Sequence, residues 1–220
     1  FRRALLIAPA GKWGESIANN FLTKWYQQGG KLTDKLYFDD ETNINSSIMK
    51  LLDIDESANR KNDLVRTIWK RPKFYPRRRQ DFDVVILLSY ASKARQIRPM
   101  LKYHYAGNIP VYGTSLLYSG SPKPQSDTDL NGIIFGEMPY LLNNSKSLIN
   151  RSWPEQFNSY NRLYAIGKDA SLLSHQLNQL KLFPLLGAAN NSGTLFLNEQ
   201  GQIIRQLQWA KFKSGLAKSL

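Results

Sequence analysis

The segment that decides the fold is DVVILL, residues 83–88, a continuous apolar run that follows one aspartate. A second run of this kind, ALLIAP, occupies residues 4–9 near the start of the chain. Strands that are apolar at every position are typical of parallel sheets with helices on both faces, because neither face meets water. The two runs therefore predict an α/β protein whose central strands are parallel and buried.

Weaker elements surround these two strands. Residues 36–38, 109–112 and 133–135 have the composition of further strands. Helical spacing separates them at residues 17–25, 44–52 and 92–105, and we expect Pro99 to kink the last of these helices or delay its start. Since strand and helix alternate, right-handed crossovers give a doubly wound sheet. Residues 154–182 predict a long helix, and residues 194–197 and 203–207 predict a hairpin around NEQG.

Charge is concentrated between Arg60 and Arg79, where nine basic residues accompany the single acid Asp63. This stretch supplies +8 of the formal net charge of +13, which points to an acidic partner. Three interpretations stay open on charge alone. With Trp69, Phe74 and Tyr75 interleaved, the stretch could bind single-stranded nucleic acid by stacking. It could instead contact an acidic protein or an anionic lipid surface, or be a solvated insertion without a specific role.

Composition limits the remaining functions. The chain has 220 residues and no cysteine, which excludes disulfides, thiolate catalysis and thiolate zinc sites. No run of 18 apolar residues occurs, so the sequence predicts no transmembrane helix. The chain begins FRRALL, without an initiator methionine, and we expect it to be part of a longer protein with a targeting signal upstream.

Catalytic and metal-binding patterns are weak. SIMK at 47–50, SYN at 159–161 and KSG at 213–215 follow the order of the serine acyl-enzyme motifs. We expect no catalysis from them, because Ser47 falls on a crossover helix and only five residues follow Gly215. The two histidines, 104 and 175, have no ligand-like neighbour at helical spacing. The sequence thus predicts neither a catalytic residue, a metal site nor a cofactor.

Several short motifs, in this order, resemble one known family. They are ALLIAP at 4–9, RRRQDFD at 77–83, EMP at 137–139, LYAIGKDA at 163–170, SGTL at 192–195 and RQLQW at 205–209. LYAIGKDA is the most specific of them. Together they resemble the C-terminal domain of the penicillin-binding protein activator family, the LpoA-type outer-membrane lipoproteins, and the resemblance covers essentially the whole chain.

The resemblance implies a type I periplasmic-binding-protein-like fold, of which the chain holds the second lobe plus returning helices. We expect residues 1–135 and 193–212 to form the α/β lobe, residues 136–192 a helical segment directed toward the other lobe, and residues 53–80 a basic insertion. The returning helices at 163–182 should pack on that other lobe, so we expect them to expose an apolar patch.

The resemblance also implies a function. Members are not enzymes; they bind and stimulate a bifunctional class A penicillin-binding protein and favour its cross-linking of peptidoglycan. An N-terminal lipid, outside this chain, anchors them to the periplasmic side of the outer membrane. The alternative is a lobe that senses a small solute. In the periplasm, nucleic acid is no longer an expected partner. The expected partner is a penicillin-binding protein, and peptidoglycan is an additional candidate. The candidate partner surface comprises Arg71, Lys73, Arg77, Arg78 and Arg79.

Overall fold

A computed structural model describes residues 1–69, 73–143 and 160–220 of the chain. These residues fall into two compact units, Phe1–Gly113 and Thr114–Leu220. Each unit is described separately below.

The first unit is built on four parallel strands in the order β2-β1-β3-β4. The strands are β1 (Arg3–Pro9), β2 (Lys31–Phe38), β3 (Val84–Leu87) and β4 (Val111–Gly113). The two segments that predicted the fold lie side by side at its centre, with Leu6 opposite Ile86 in the β1–β3 register. The parallel α/β arrangement expected from their continuous apolar character is therefore confirmed in this unit.

Four helices connect these strands. They are α1 (Lys12–Gln27), α2 (Ile44–Leu51), α3 (Ile54–Ile68) and α4 (Ala91–Leu101). Ala18 and Leu22 of α1 pack on Leu6 and Ile86 of the sheet in one apolar cluster. The turn that precedes α1 depends on two glycines. Gly11 has a φ of 91°, and a Cβ on Gly14 would collide with the carbonyl oxygen of Pro9.

Two features of this unit differ from the sequence prediction. The first half of the basic stretch is the regular helix α3, which the charge pattern did not indicate. The predicted helix at 92–105 contains Pro99 but continues past it to Leu101, and a π-helical turn occupies Lys102–Ala106. Tyr105 in that turn has a φ of 64°, so the regular helix ends here because the backbone enters the left-handed region.

The second unit contains two antiparallel groups of strands. One is β5-β9-β10, made of β5 (Ile133–Glu137), β9 (Gln208–Lys213) and β10 (Leu216–Ser219). The other is β6-β7-β8, made of β6 (Ala188–Ala189), β7 (Thr194–Leu197) and β8 (Ile203–Gln206). The predicted hairpin is confirmed as β7–β8. The antiparallel pairing of β5 with β9 was not predicted, since β5 looks like one more parallel strand in the sequence.

The α-helices that the structure describes in this unit are α5 (Pro124–Asp127), α6 (Pro139–Asn143) and the long α7 (Asn161–Leu182). Helix α7 agrees with the helix predicted at 154–182 wherever the structure describes that range. It exposes the apolar side chains Leu163, Ile166, Leu172, Leu177 and Leu182, and Leu185 just beyond it is 95% exposed. These exposed side chains lie in the range where an apolar patch was expected, and the packing of this helix on another lobe stays a prediction. Among the described helices, none combines the length and apolar character needed to cross a bilayer.

Candidate functional site

Arg79, one of the predicted partner-surface residues, is bound within its own unit. Its guanidinium lies 3.0 Å from an Asp34 oxygen, 2.8 Å from Asp81 and 3.6 Å from Asp53, and its side chain is only 16% exposed. The hydrogen bond with Asp81 raises the pKa of Arg79 further above its usual range and lowers the pKa of Asp81. Arg79 therefore contacts three carboxylates of its own unit, and we call this group of four side chains the Arg79 cluster.

Arg78 is also engaged by its own unit. Its Nε donates to the Tyr105 carbonyl at 2.9 Å, its Nη1 donates to the Arg79 carbonyl at 2.8 Å, and its guanidinium stacks over the Phe82 ring at 5.2 Å. A planar guanidinium suits this combination of stacking and hydrogen bonding. Arg78 thus connects the basic stretch to the π-helical turn after α4. The carbonyl that it binds belongs to Tyr105, the residue of that turn with a positive φ.

Lys73 and Arg77 are different, because both side chains are exposed along a groove of about 400 Å³ between α3 and residues 73–77, a segment without regular secondary structure. We call it the basic groove. The α3 side of the groove consists of Ser57, Arg60, Lys61 and Leu64. The other side consists of Lys73, Phe74, Tyr75 and Arg77. Of the five residues predicted as a partner surface, the structure brings Lys73 and Arg77 together here, while Arg71 lies outside the described residues.

Local contacts fix the shape of the basic groove. The backbone N–H of Arg77 donates to the Ser57 hydroxyl at 3.1 Å, which connects segment 73–77 to the buried face of α3. Lys61 places its ammonium 5.4 Å from the centre of the Phe74 ring. Sequence analysis did not include Arg60 and Lys61 in the partner surface. Their helical spacing with Ser57 and Leu64 was the available signal, since positions i, i+3, i+4 and i+7 share one helix face.

A second candidate site lies at the carboxyl ends of β1 and β3. The chain leaves these adjacent strands in opposite directions across the sheet, which is where open α/β sheets bind ligands. Trp13, in the first turn of α1, and Tyr90, just before α4, stack here with ring centroids 5.6 Å apart. About half of each side chain is exposed. An aromatic surface of this kind could pack on a small apolar or sugar-like solute.

Two of the family-like motifs have structural roles in the second unit. Asp169 of LYAIGKDA is buried and accepts hydrogen bonds from the backbone N–H groups of Asn191 and Ser192, at 2.9 and 2.6 Å, and from the Asn191 amide. Burial alone would raise the pKa of Asp169, but these hydrogen bonds outweigh it and lower the pKa. Glu137 of EMP is fully buried against Arg162, and burial raises the pKa of Glu137 despite that ion pair.

The acyl-enzyme-like patterns have ordinary structural positions. Ser47 and Lys50 lie on α2, while residues 213–215 form the β9–β10 turn, where Ser214 and Gly215 both have a positive φ. The pattern at 159–161 begins outside the described residues. His104 is buried with its Nε2 2.7 Å from the Asn45 side-chain oxygen, and burial lowers its pKa. Within the described part of the chain, no three His, Asp or Glu side chains are placed to hold a metal ion.

Comparisons with known proteins agree with the motif resemblance. The chain is 27% identical over 213 residues to the penicillin-binding protein activator LpoA of Vibrio antiquarius, and 28% identical over 216 residues to that of Photobacterium profundum. These alignments cover 94% and 96% of this chain. The chain spans about 35% of the length of these curated relatives.

Solved structures show the same fold. The C-domain of LpoA from Haemophilus influenzae, described as a regulator of PBP1A, is similar over 100% of this chain and 62% of its own, with a TM-score of 0.66 and 17% identity. A putative branched-chain amino acid ABC transporter protein from Chromobacterium violaceum is similar over 96% of this chain and 59% of its own, with a TM-score of 0.59 and 22% identity. The predicted periplasmic-binding-protein-like fold is confirmed.

The family model for the LppC putative lipoproteins matches residues 1–215, which is nearly the whole chain. The motifs, the fold and this match agree, and the chain belongs to the LppC putative lipoprotein family.

Proposed function

We propose that this chain is part of a non-catalytic activator that binds a bifunctional class A penicillin-binding protein and stimulates its cross-linking of peptidoglycan. The observation that supports this proposal most strongly is the similarity over 94–96% of the chain to proteins named penicillin-binding protein activator LpoA. The whole protein is proposed to be lipid-anchored at the periplasmic side of the outer membrane, in keeping with the lipoprotein description of its family.

An activator acts by binding, so it needs a surface rather than a reaction centre. The basic groove suits this purpose because it concentrates positive charge on the surface of a stable unit, where charge accelerates the encounter with an acidic partner. We propose Lys73 and Arg77, joined by Arg60 and Lys61, as the part of the partner surface that sequence analysis had centred on residues 71–79. Arg78 and Arg79 support this surface from within.

The test is binding of the chain to the class A penicillin-binding protein of the same cell, measured by surface-immobilised kinetics at two salt concentrations. We expect saturable binding that raises the amount of cross-linked product in a synthase assay. Adding salt should slow association, because screening weakens attraction between separated charges. An absence of binding at either salt concentration, with the chain shown to be folded, would refute the proposal.

The solute-sensing alternative has weaker support. Trp13 and Tyr90 do lie at the sheet edge where open α/β sheets bind ligands, and the Chromobacterium violaceum neighbour is named as an amino acid transporter protein. However, the relatives that match nearly the whole chain are named as activators. A rise in melting temperature with an amino acid or a muropeptide, lost on Trp13→Ala, would reopen this alternative.

A further inference from the structure

From the chemistry of the basic groove we infer its ligand: a short acidic peptide that carries one apolar side chain between its carboxylates. This inference deepens the proposed function and rests on it for the identity of the protein that contributes the peptide. Two properties of the groove support it, namely its charge and its apolar floor.

The rim of the groove is cationic on both sides. Arg60 and Lys61 come from α3, and Lys73 and Arg77 come from segment 73–77. Of these, Arg60 has an acidic neighbour, Glu56, at 3.5 Å, in an exposed ion pair that contributes little and exchanges readily. Carboxylates on a ligand lying in the groove would therefore meet positive charge from two directions.

The floor of the groove is apolar. Leu64 on α3 is 47% exposed, and Phe74 lines the same groove from segment 73–77. Tyr75, which is 79% exposed, adds an aromatic side chain at the rim. A groove of about 400 Å³ has room for one large side chain and its flanking backbone. This floor favours a peptide over a lipid headgroup or a uniformly anionic polymer, because neither presents an isolated apolar group between its charges.

The experiment uses the 220-residue chain and the fluorescein-labelled pentapeptide EEFEE, followed by fluorescence anisotropy, with EEAEE and KKFKK as comparison peptides. We expect EEFEE to bind, EEAEE to bind more weakly and KKFKK not to bind. The double variant Lys73→Glu/Arg77→Glu should weaken EEFEE binding by about tenfold, since two attractive contacts become repulsive. The control Arg66→Glu/Lys24→Glu makes the same charge change at exposed positions off the groove, and we expect less than about a twofold effect.

A second variant tests the floor without changing charge. Leu64→Ala should bring the affinities of EEFEE and EEAEE together, because it removes apolar surface that only the phenylalanine contacts. Denaturant titration of each variant verifies that it is folded. Equal binding of EEFEE and EEAEE to the unmodified chain would overturn the inference in favour of a general anionic surface. Binding of anionic phosphatidylglycerol vesicles at these four cationic residues, without binding of EEFEE, would overturn it in favour of a membrane contact.

A separate competition experiment uses the penicillin-binding protein. If EEFEE binds in the groove and competes with the synthase, both the inference and the proposed function are supported. If EEFEE binds in the groove but the synthase does not bind the chain at all, the ligand chemistry stands and the proposed function fails. If the synthase binds equally well to Lys73→Glu/Arg77→Glu and is not displaced by EEFEE, the proposed function stands and the groove is excluded as its contact.

Discussion

Replacing Arg79 with alanine should destabilise the first unit substantially, although Arg79 lies in a run of three arginines that looks uniform in sequence. The side chain is 16% exposed and contacts Asp34, Asp53 and Asp81 at 3.0, 3.6 and 2.8 Å. The three carboxylates keep partial access to water, so they can be rehydrated once the arginine is gone. Each lost pair is then worth less than about 1 kcal/mol, and with the packing of the aliphatic stem we expect a total loss of about 2 kcal/mol.

The assay is urea denaturation followed by tryptophan fluorescence. With a urea m-value of roughly 2 kcal/mol/M, a loss of about 2 kcal/mol moves the midpoint by about 1 M. Arg77→Ala is the matched control, because the Arg77 side chain lines the exposed groove and only its backbone contacts Ser57. We expect its midpoint to shift by less than about 0.25 M, as for an ordinary surface substitution. Equal midpoints for the two variants would show that the Arg79 cluster contributes nothing to stability.

Further predictions concern buried contacts, pH and backbone. Asp169→Asn should lower the free energy of unfolding by about 2 kcal/mol in denaturant titrations, because an amide accepts the three hydrogen bonds less well than a carboxylate. The side-chain hydrogen bond from Arg3 lowers the pKa of Asp83 to about 2 from 3.8. The ionised Asp83 therefore stabilises the fold fully above pH 3.8, and this stabilisation disappears as the pH falls through about 2. In the Asp83→Asn variant, the free energy of unfolding should therefore fall less steeply with decreasing pH in this range. Gly14→Ala should destabilise the protein by about 2 kcal/mol, because the added Cβ collides with the backbone. Gly167→Ala has open space around the added Cβ and should stabilise the protein by about 0.5 kcal/mol. Thermal melts distinguish the two variants.

The parallel core was predictable from the sequence because residues 83–88 and 4–9 are apolar at every position, a pattern that few other structures produce. The pairing direction of β5 was not, since a five-residue strand has the same composition in either direction. Its partner β9 begins 71 positions after the end of β5, and only tertiary packing brings the Phe135 and Phe212 rings to 4.8 Å.

The candidate site was predicted in part. Charge density located the stretch correctly, but a count of charges cannot distinguish an arginine that faces solvent from one that is neutralised internally. Arg77 and Arg79 are two positions apart, but the Arg77 side chain lines the exposed groove, whereas the Arg79 side chain pairs with carboxylates of its own unit. Asp81 is only two positions from Arg79, but the other two partners, Asp34 and Asp53, are distant in sequence, so a local pattern shows only part of the difference. Helix α3 was missed because the helix is highly polar and its buried residues are only Ile54 and Ser57, which give a weak apolar pattern.

The hydrogen bonds that hold Arg77 and Arg79 have a consequence for binding entropy. Because the N–H groups of Arg77 and Arg79 are held by Ser57 and Leu52, and the Arg78 side chain is held by the Tyr105 carbonyl, residues 77–79 have little conformational freedom left to lose when a ligand arrives. Ordering a free loop would cost about 1–2 kcal/mol per residue, which would offset most of what a small groove can gain. Affinity here should therefore depend on the ligand's own rigidity, and a cyclised or proline-stiffened acidic peptide should bind with a less unfavourable entropy than a linear one.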